Sequence, residues 1–474
     1  MRIIGRLNET LKNIGKEFTV EPLARDLQPI VNEALKKHGK DRQRESPLSP
    51  LLTVWLVLSL ALRRDLNYFN VLDWLISGLR NLGWNLPRHP VSEGAISHAR
   101  KRLGVDVIKD LFKSSAGIAC KAPALFHGLV SLGVDGTQMT LPDTPQNAVR
   151  FGKPGVSRGV VAAFPQIRVV GLVSTALQAV QDFVFGPCWG KGTGERTLAM
   201  KLILRNAQAG LLFLLDRGFF GFDLLHALLT RGAHFIIRVP KHVKLTPIRD
   251  SRHADGSYLA WIEGKVEDPA GPAKNGHKRW IKVSHKVRVI RYQIPGFRSS
   301  RLATSLLDTS ITAMEIVREY HRRWEIELAY DSIKTHQCGT RRGQCATIFR
   351  SKLPELVEQE LYAMLTIYNL VRGIINEAAR KHGLDPRSIS FVDSLQAILD
   401  AIPGMRGAPL QRLPYLYQQL LDDIARCKLK RWRRPRVFSR VVKVKMSNFK
   451  LKTFKDHEIR RDYERETRIL GATG

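Results

Sequence analysis

Cysteine is scarce and scattered: five residues, at 120, 188, 338, 345 and 427, form no CxxC pair and no Cys/His cluster at zinc-ligand spacing. That usage supports neither a disulfide framework nor a zinc site and fits a reducing cytoplasm. A bilayer-length apolar run is missing as well. The apolar stretch Leu51 to Leu62 has only twelve residues before Arg63, Arg64 and Asp65, too few to span a membrane, and reads as a buried helix. The opening residues, from Met1 to Phe18, lack the continuous apolar stretch of a signal peptide. Acidic residues are in short supply too: 43 Asp+Glu stand against 76 Lys+Arg, leaving a formal charge of +33.

A cationic excess of this size favours a polyanionic partner, because each phosphate neutralised by Lys or Arg releases condensed counterions. Nucleic acid is the first expectation, ahead of a packing protein or a membrane-surface binder. The 474 residues give room for two to four domains, and 44% hydrophobic residues supply cores for them.

Up to about residue 125 the apolar positions recur at three-and-four spacing, with breaks at Pro47, Pro50, Pro87 and Pro90, so residues 1–125 read as a helical, DNA-binding N-terminal region. Within it, Val91 to Leu103 reads as a helix presenting Ser97, His98, Arg100, Lys101 and Arg102 to solvent. It is either a DNA-contacting helix or a plain solvated basic face. From Leu129 the period changes. Leu129–Val134, Ile167–Leu177, Ala179–Phe185, Leu211–Leu215 and His234–Val239 read as strands, and Glu195–Asn206 and Phe222–Thr230 as helices. The order β, β, β, α, β, α, β predicts a mixed sheet flanked by helices over 126–239.

Residues 240–310 show short alternating strands, such as Trp280–His285 and Lys286–Tyr292, between turn-rich stretches and read as a β-rich insertion. Helix returns from Thr312 to about Lys334 and again over Pro354–Lys381, giving a second part of the main domain over 311–400. The remainder, 401–474, is the most basic part: Cys427 to Lys452 holds eleven Lys/Arg and no acid, interleaved with Trp432, Phe438 and Phe449. Such a mixture suits a phosphate backbone and stacked bases, and equally a solvated tail.

Two aspartates close apolar strands, Asp135 after Val130–Val134 and Asp216 after Leu211–Leu215. Ligands of α/β sheets bind beside strand termini, although Asp is also a common turn residue. A third acid lies in the helix from Arg318 to Lys334, where Tyr320, Arg323, Glu327 and Lys334 fall at steps of three, four and seven. At 3.6 residues per turn they share one stripe. Glu327 can then bind a divalent metal while Arg323 and Lys334 hold a phosphate. The plainer alternative is a surface Arg323–Glu327 ion pair contributing roughly a few tenths of a kcal/mol.

This Tyr-(2)-Arg-(3)-Glu-(6)-Lys spacing resembles the signature of the insertion-sequence-four family of DDE transposases. Stretches around Val134-Asp135-Gly136-Thr137, Leu215 to Phe219, Leu353 to Leu361, Tyr368 to Arg372 and Ser390 to Val392 are similar to it too, so the resemblance spans about 90–440. It implies a ribonuclease-H-like fold with a β insertion between the second aspartate and the glutamate. Asp135, Asp216 and Glu327 would be the catalytic, metal-binding triad, and Tyr320, Arg323 and Lys334 would contact DNA. The implied cofactor is Mg²⁺, two ions roughly 4 Å apart, with Mn²⁺ as a substitute. The implied partners are double-stranded DNA, as inverted-repeat element ends and as target, and a second copy of the chain in a homodimer on that DNA. Some relatives stack an aromatic from the strand before the glutamate helix on a flipped base. The matching stretch, Arg301 to Leu307, has none.

The resemblance thus implies a transposase that cuts at the ends of its element and joins the 3′-OH ends to target DNA, in the cytoplasm of a bacterium and at its nucleoid. Two other readings stay open: a catalytically silent DNA-binding regulator of transposition, and a ribonuclease-H-like nuclease without strand joining. Glu195 reads as a first-turn helix glutamate favoured by the helix dipole. Lys191, in Gly190-Lys191-Gly192-Thr193-Gly194, lacks Walker spacing, which argues against an ATPase.

Overall fold

The computed structural model describes residues 23–41, 48–80, 91–155, 161–268, 279–338, 349–406, 408–429, 436–438, 441–442, 450–451, 453 and 460–471. Pro47, Pro87, Pro90 and most of the basic stretch 427–452, including Trp432 and Phe449, lie outside them; of Phe438 only the backbone is described. The chain forms two compact units, one from 1–123, 136–194 and 327–429, the other from 124–135, 195–326 and 430–474.

In chain order, five helices come first: α1 (Leu23–Lys37), α2 (Pro50–Leu62), α3 (Tyr68–Arg80), α4 (Glu93–Leu103) and α5 (Asp106–Ala119). Strand β1 (Val130–Thr140), helix α6 (Pro145–Phe151) and strands β2 (Gln166–Ser174) and β3 (Val180–Pro187) follow. Then come α7 (Glu195–Asn206), β4 (Leu211–Leu215), α8 (Phe222–Leu229), β5 (His234–Arg238), β6 (Thr246–Arg252), β7 (Tyr258–Glu267), β8 (Trp280–Gln293) and β9 (Ser300–Thr304). The rest is mainly helical: α9 (Ala313–His321), α10 (Glu325–Asp331), α11 (Pro354–Lys381), α12 (Phe391–Arg406) and α13 (Leu413–Arg426).

In the first unit, α2 is the buried helix its composition implies. Ser49 caps it by accepting from the Leu52 N–H, Pro50 starts it, and Leu52 to Ala61 are buried apart from Trp55. Helix α11 packs on α5, α2 and α13, and its polar residues are structural clamps. The Tyr368 hydroxyl donates to Gln178 O at 2.6 Å, the Asn369 side chain bonds both Val180 N and O, and Arg372 donates to Leu177 O at 2.9 Å. All three grip the tight turn between β2 and β3, where Gln178 has φ +53°.

Near the start of α11, Glu360 is buried. It pairs with Arg64 and accepts from the Ser351 N–H at 3.0 Å. Burial pushes its carboxyl up, but Arg64 and Arg100 outweigh that and bring it down to about 2. Arg100 is 3% exposed and donates to Gln359 Oε1, Ser351 Oγ and Leu356 O. The solvent-facing Arg100 expected on α4 is thus wrong. The apolar stripe of α4 is wide enough to take in residue 100, and partners on other helices make its burial tolerable. His98, Lys101 and Arg102 are exposed, and Ser97 is half-buried.

The second unit holds a sheet in the order β1-β4-β5-β9-β8-β7-β6. β1, β4 and β5 are parallel, and β9, β8, β7 and β6 continue antiparallel. Leu211 to Leu215 are all buried, as a strand covered on both faces requires. With the antiparallel β2-β3 pair and the β, β, β, α, β, α, β chain order, this is a mixed, helix-flanked sheet of the ribonuclease-H-like class. The β-rich insertion does not stand apart from it, because β9 hydrogen-bonds to β5 through Arg238↔Leu302, Ile237↔Ala303 and Ile236↔Thr304.

Three sequence expectations are corrected in detail. Trp280–His285 and Lys286–Tyr292 are one fourteen-residue strand, β8, because its pairing with β7 runs unbroken from Trp280 to Val289 and its pairing with β9 from Arg288 to Tyr292. Strand β1 continues to Thr140, so Asp135 ends the apolar run and the pairing with β4 but not the strand. Apolar period reports burial, whereas strand length follows hydrogen bonding. The helix from Thr312 to Lys334 is not uniform either. A Thr312/Glu315 capping box opens α9, a 3₁₀ turn occupies Arg322–Trp324, and a π-helical turn occupies Ser332–Gln337.

Candidate active site

Strand register sets the centre of the second unit. Val134 pairs with Leu215, and Leu215 with Ile237. One residue further along the three parallel strands stand Asp135, Asp216 and Arg238, each partly exposed after a buried neighbour. Neighbouring strands lie about 4.8 Å apart, so two carboxylates and a guanidinium share one row.

The helix above supplies the next charges. Arg323, on the 3₁₀ turn, is 3% exposed and places Nη1 3.2 Å from Asp135 Oδ2. Arg323 is thus a buried group with Asp135 among its partners, not a solvated surface cation. The fit over β1 is close: a Cβ at Gly133 would stand 3.6 Å from Arg323 O and from Ile326. Tyr320 is buried, and burial raises its hydroxyl well above the usual range while Arg323 opposes and Asp216 adds to the rise. Tyr292 on β8 is raised in the same way, by burial, against Arg238 and a hydrogen bond with Ser300. Both phenols therefore stay protonated and able to donate. Beside them, burial and then the Arg238 and Arg323 charges push the His321 imidazole down to about 4, so it is neutral at ordinary pH.

In the first unit, Lys334 donates from Nζ to Thr137 Oγ1 at 3.1 Å. Burial lowers its ammonium from the ordinary lysine range, against Asp331. It rides on the π turn, a local geometry common at functional sites. Glu327 sits on α10, partly exposed. Nearby, the Tyr330 hydroxyl accepts from Gly171 N at 2.8 Å, and a Cβ there would come within 2.7 Å of that hydroxyl, so any side chain at position 171 would have to displace Tyr330.

Of the six residues singled out by sequence, Asp135, Asp216, Tyr320 and Arg323 belong to the second unit and Glu327 and Lys334 to the first. Among the described residues, no group of three or more His, Cys, Asp or Glu side chains is gathered as a metal site. The Asp135/Asp216 pair nevertheless offers the hard oxygen donors that Mg²⁺ prefers. Arg238 was missed by sequence reasoning. Its signal was available, since an apolar strand ending in a charge, His234 to Arg238, repeats the pattern that exposed both aspartates. Glu195 is exposed in the first turn of α7, in keeping with the helix-dipole reading.

The register thus puts Asp135 and Asp216 side by side, with the buried Arg323 against Asp135. The Transposase DDE domain family matches residues 132–370, half of the chain, and the Insertion element 4 transposase N-terminal family matches 18–113. The chain belongs to the DDE transposases of the insertion-sequence-four group and is a DNA transposase. It is 29% identical over 425 residues to the transposase InsG for insertion sequence element IS4 of Escherichia coli (strain K12), covering 87% of this chain and 89% of that protein. Among solved structures, the piggyBac transposase synaptic complex with hairpin DNA is similar at TM-score 0.39 and 12% identity, over 84% of this chain and 83% of that one. Membership implies use of divalent metal and binding of DNA. Among the described residues, no helix is long and apolar enough to cross a membrane.

Proposed function

We propose that Asp135, Asp216 and Glu327 together hold two Mg²⁺ ions, replaceable by Mn²⁺, and that the chain cuts both ends of its element and joins them to target DNA. The observation that carries this reading is the Val134↔Leu215 register, which sets Asp135 and Asp216 side by side. Arg323, whose guanidinium lies on Asp135, and Glu327 belong to the same helical stretch.

Bound metal would activate a water or a DNA 3′-OH and stabilise the departing oxygen. The protein's own contributions are positional and electrostatic. The carboxylates supply ligands. Arg323 and Arg238 offset their charge and, with Lys334, are suited to the phosphate being attacked. Tyr320 is a neutral donor that stays protonated at any working pH. No side chain needs to act as a covalent nucleophile.

In this reading 1–125 is the DNA-binding region, 126–239 and 311–400 carry catalysis, 240–310 is the insertion, and the basic 401–474 holds DNA. The DNA is the element's inverted repeats and a target, the working form is a homodimer on that DNA, and the setting is the bacterial cytoplasm and nucleoid. The net charge of +33 favours such a partner. The test is incubation of purified protein with Mg²⁺ and DNA carrying the sequences that flank its reading frame. Nicked, excised and joined products support the reading. Binding without cleavage supports a silent regulator, and cleavage without joining supports a nuclease.

A further inference from the structure

The C-terminal residues 460–471 return to the second unit and attach at several points. Arg468 and Ile469 pair antiparallel with Gln293 and Tyr292 of β8, and Leu470 N donates to Arg291 O at 2.8 Å. Arg318 on α9 donates from Nη2 to Glu464 O at 2.8 Å. The segment is internally tied. Asp462 caps its short helical turn by accepting from the Glu464 and Arg465 N–H groups, and the Thr467 hydroxyl donates to Tyr463 O. Tyr463 and Ile469 pack against the cluster that contains Tyr292, Ile316, Val317 and Tyr320.

The closest of these contacts falls at a sensitive place. The Tyr463 ring lies flat on the His321 imidazole, with centroids 4.4 Å apart and planes at 18°. His321 also meets Tyr292 and Tyr320 edge-on. It is the last residue of α9, directly before the 3₁₀ turn that carries Arg323. A 3₁₀ turn has poorer hydrogen-bond geometry than an α-helix and is used in short pieces, so the position of Arg323 depends on what holds the junction. His321 is 9% exposed and its Nε2 has no hydrogen-bond partner. The ring is therefore fixed by packing.

We propose that the C-terminal segment is a brace for the active site, with Tyr463 a positioning residue that acts through His321 on the placement of Tyr320 and Arg323. The inference rests on the reading of Tyr320 and Arg323 as DNA-contacting residues. Orientation errors are costly in phosphoryl transfer, where a displacement of about 1 Å far from the chemistry can cost on the order of a hundredfold in rate. The basic stretch that precedes the brace in sequence need not take part for it to act.

The experiment measures single-turnover cleavage of DNA carrying the element's flanking sequences, with saturating Mg²⁺, and affinity for the same DNA in Ca²⁺. Tyr463→Ala should slow cleavage on the order of tenfold to a hundredfold with affinity unchanged, and Tyr463→Phe, which keeps the ring, should restore the rate. Arg318→Ala, which loses the bond to Glu464 O, should slow cleavage in the same sense and serves if Tyr463→Ala fails to fold. His321 proton NMR gives a readout independent of activity: removing the Tyr463 ring should raise the imidazole's titration midpoint above about 4. Wild-type rates together with an unmoved midpoint in Tyr463→Ala would overturn the brace, as would equal loss in the Phe variant or a loss confined to DNA affinity. Failure of the wild type to cleave, with the midpoint shift intact, would instead overturn the active-site reading.

Discussion

Arg323 Nη1 stands 3.2 Å from Asp135 Oδ2, joining a buried cation on a helical turn to a carboxylate on the central strand across 188 residues of sequence. An arginine in this position has two effects of opposite sign. With Asp135 as a metal ligand, as proposed, it would offset the Asp135 charge before metal arrives and compete with metal for the same oxygen. Arg323→Gln is therefore expected to lower the Mg²⁺ concentration needed for half-maximal cleavage while lowering the maximal rate on the order of a hundredfold, as for other single stabilising donors. A metal titration of the single-turnover rate separates the two; a raised metal requirement would contradict the competition.

The three acids are expected to act as one unit. Asp135→Asn, Asp216→Asn and Glu327→Gln should each reduce cleavage and joining by about a thousandfold or more, with little further loss on combination, because groups that act together are strongly non-additive. DNA binding by gel shift should persist in all three. Cleavage at near wild-type rate by Glu327→Gln would remove Glu327 from the site.

Arg238 follows Ile237, whose strand partner Leu215 precedes Asp216, so its guanidinium belongs to the row of the two aspartates. Arg238→Gln should cost on the order of tenfold to a hundredfold in cleavage without unfolding the protein. It should also raise the His321 midpoint, since Arg238 is among the charges that hold that imidazole down. An unchanged cleavage rate would leave Arg238 as a purely structural strand-end residue.

Glu360 gives the pH prediction. Its carboxyl is held at about 2 in the folded chain by Arg64 and Arg100 against the cost of burial, below the ordinary unfolded value of about 4.3. A depressed carboxylate stabilises the fold above the unfolded value and loses that contribution as pH falls through the folded one. The contribution, on the order of a few kcal/mol, should be complete at neutral pH and decline between about pH 4.3 and 2. Glu360→Gln should lower the melting temperature at pH 7 and flatten the acid limb of stability. Arg100→Ala should likewise act on stability, and a loss of DNA affinity at unchanged stability would return Arg100 to a DNA-contacting role.

Several neighbours in the family-like stretches have a structural explanation. Gln359 and Glu360 hold the buried network around Arg100, while Tyr368, Asn369 and Arg372 fasten the β2–β3 turn. In sequence such residues look no different from site residues, because a buried polar clamp and a catalytic group both need a fixed side-chain type. Arg100 shows the reverse difficulty. A basic residue on a polar helix is read as solvent-facing until partners 251 to 259 residues away in sequence are seen to surround it.

What the chain determined locally was legible: strands with continuous apolar burial, such as Leu211–Leu215, and helices with clean boundaries, such as Glu195–Asn206 and Pro354–Lys381, follow from period and length alone. So did the charge excess and the Tyr, Arg, Glu, Lys spacing, because these are properties of residue type and order. Only tertiary structure decided that β1 runs on past Asp135, that the helix tightens at Arg323 and loosens at Lys334, and that Arg238 joins the row of aspartates. Those features depend on strand register and on packing between residues far apart in the chain. A linear pattern encodes neither.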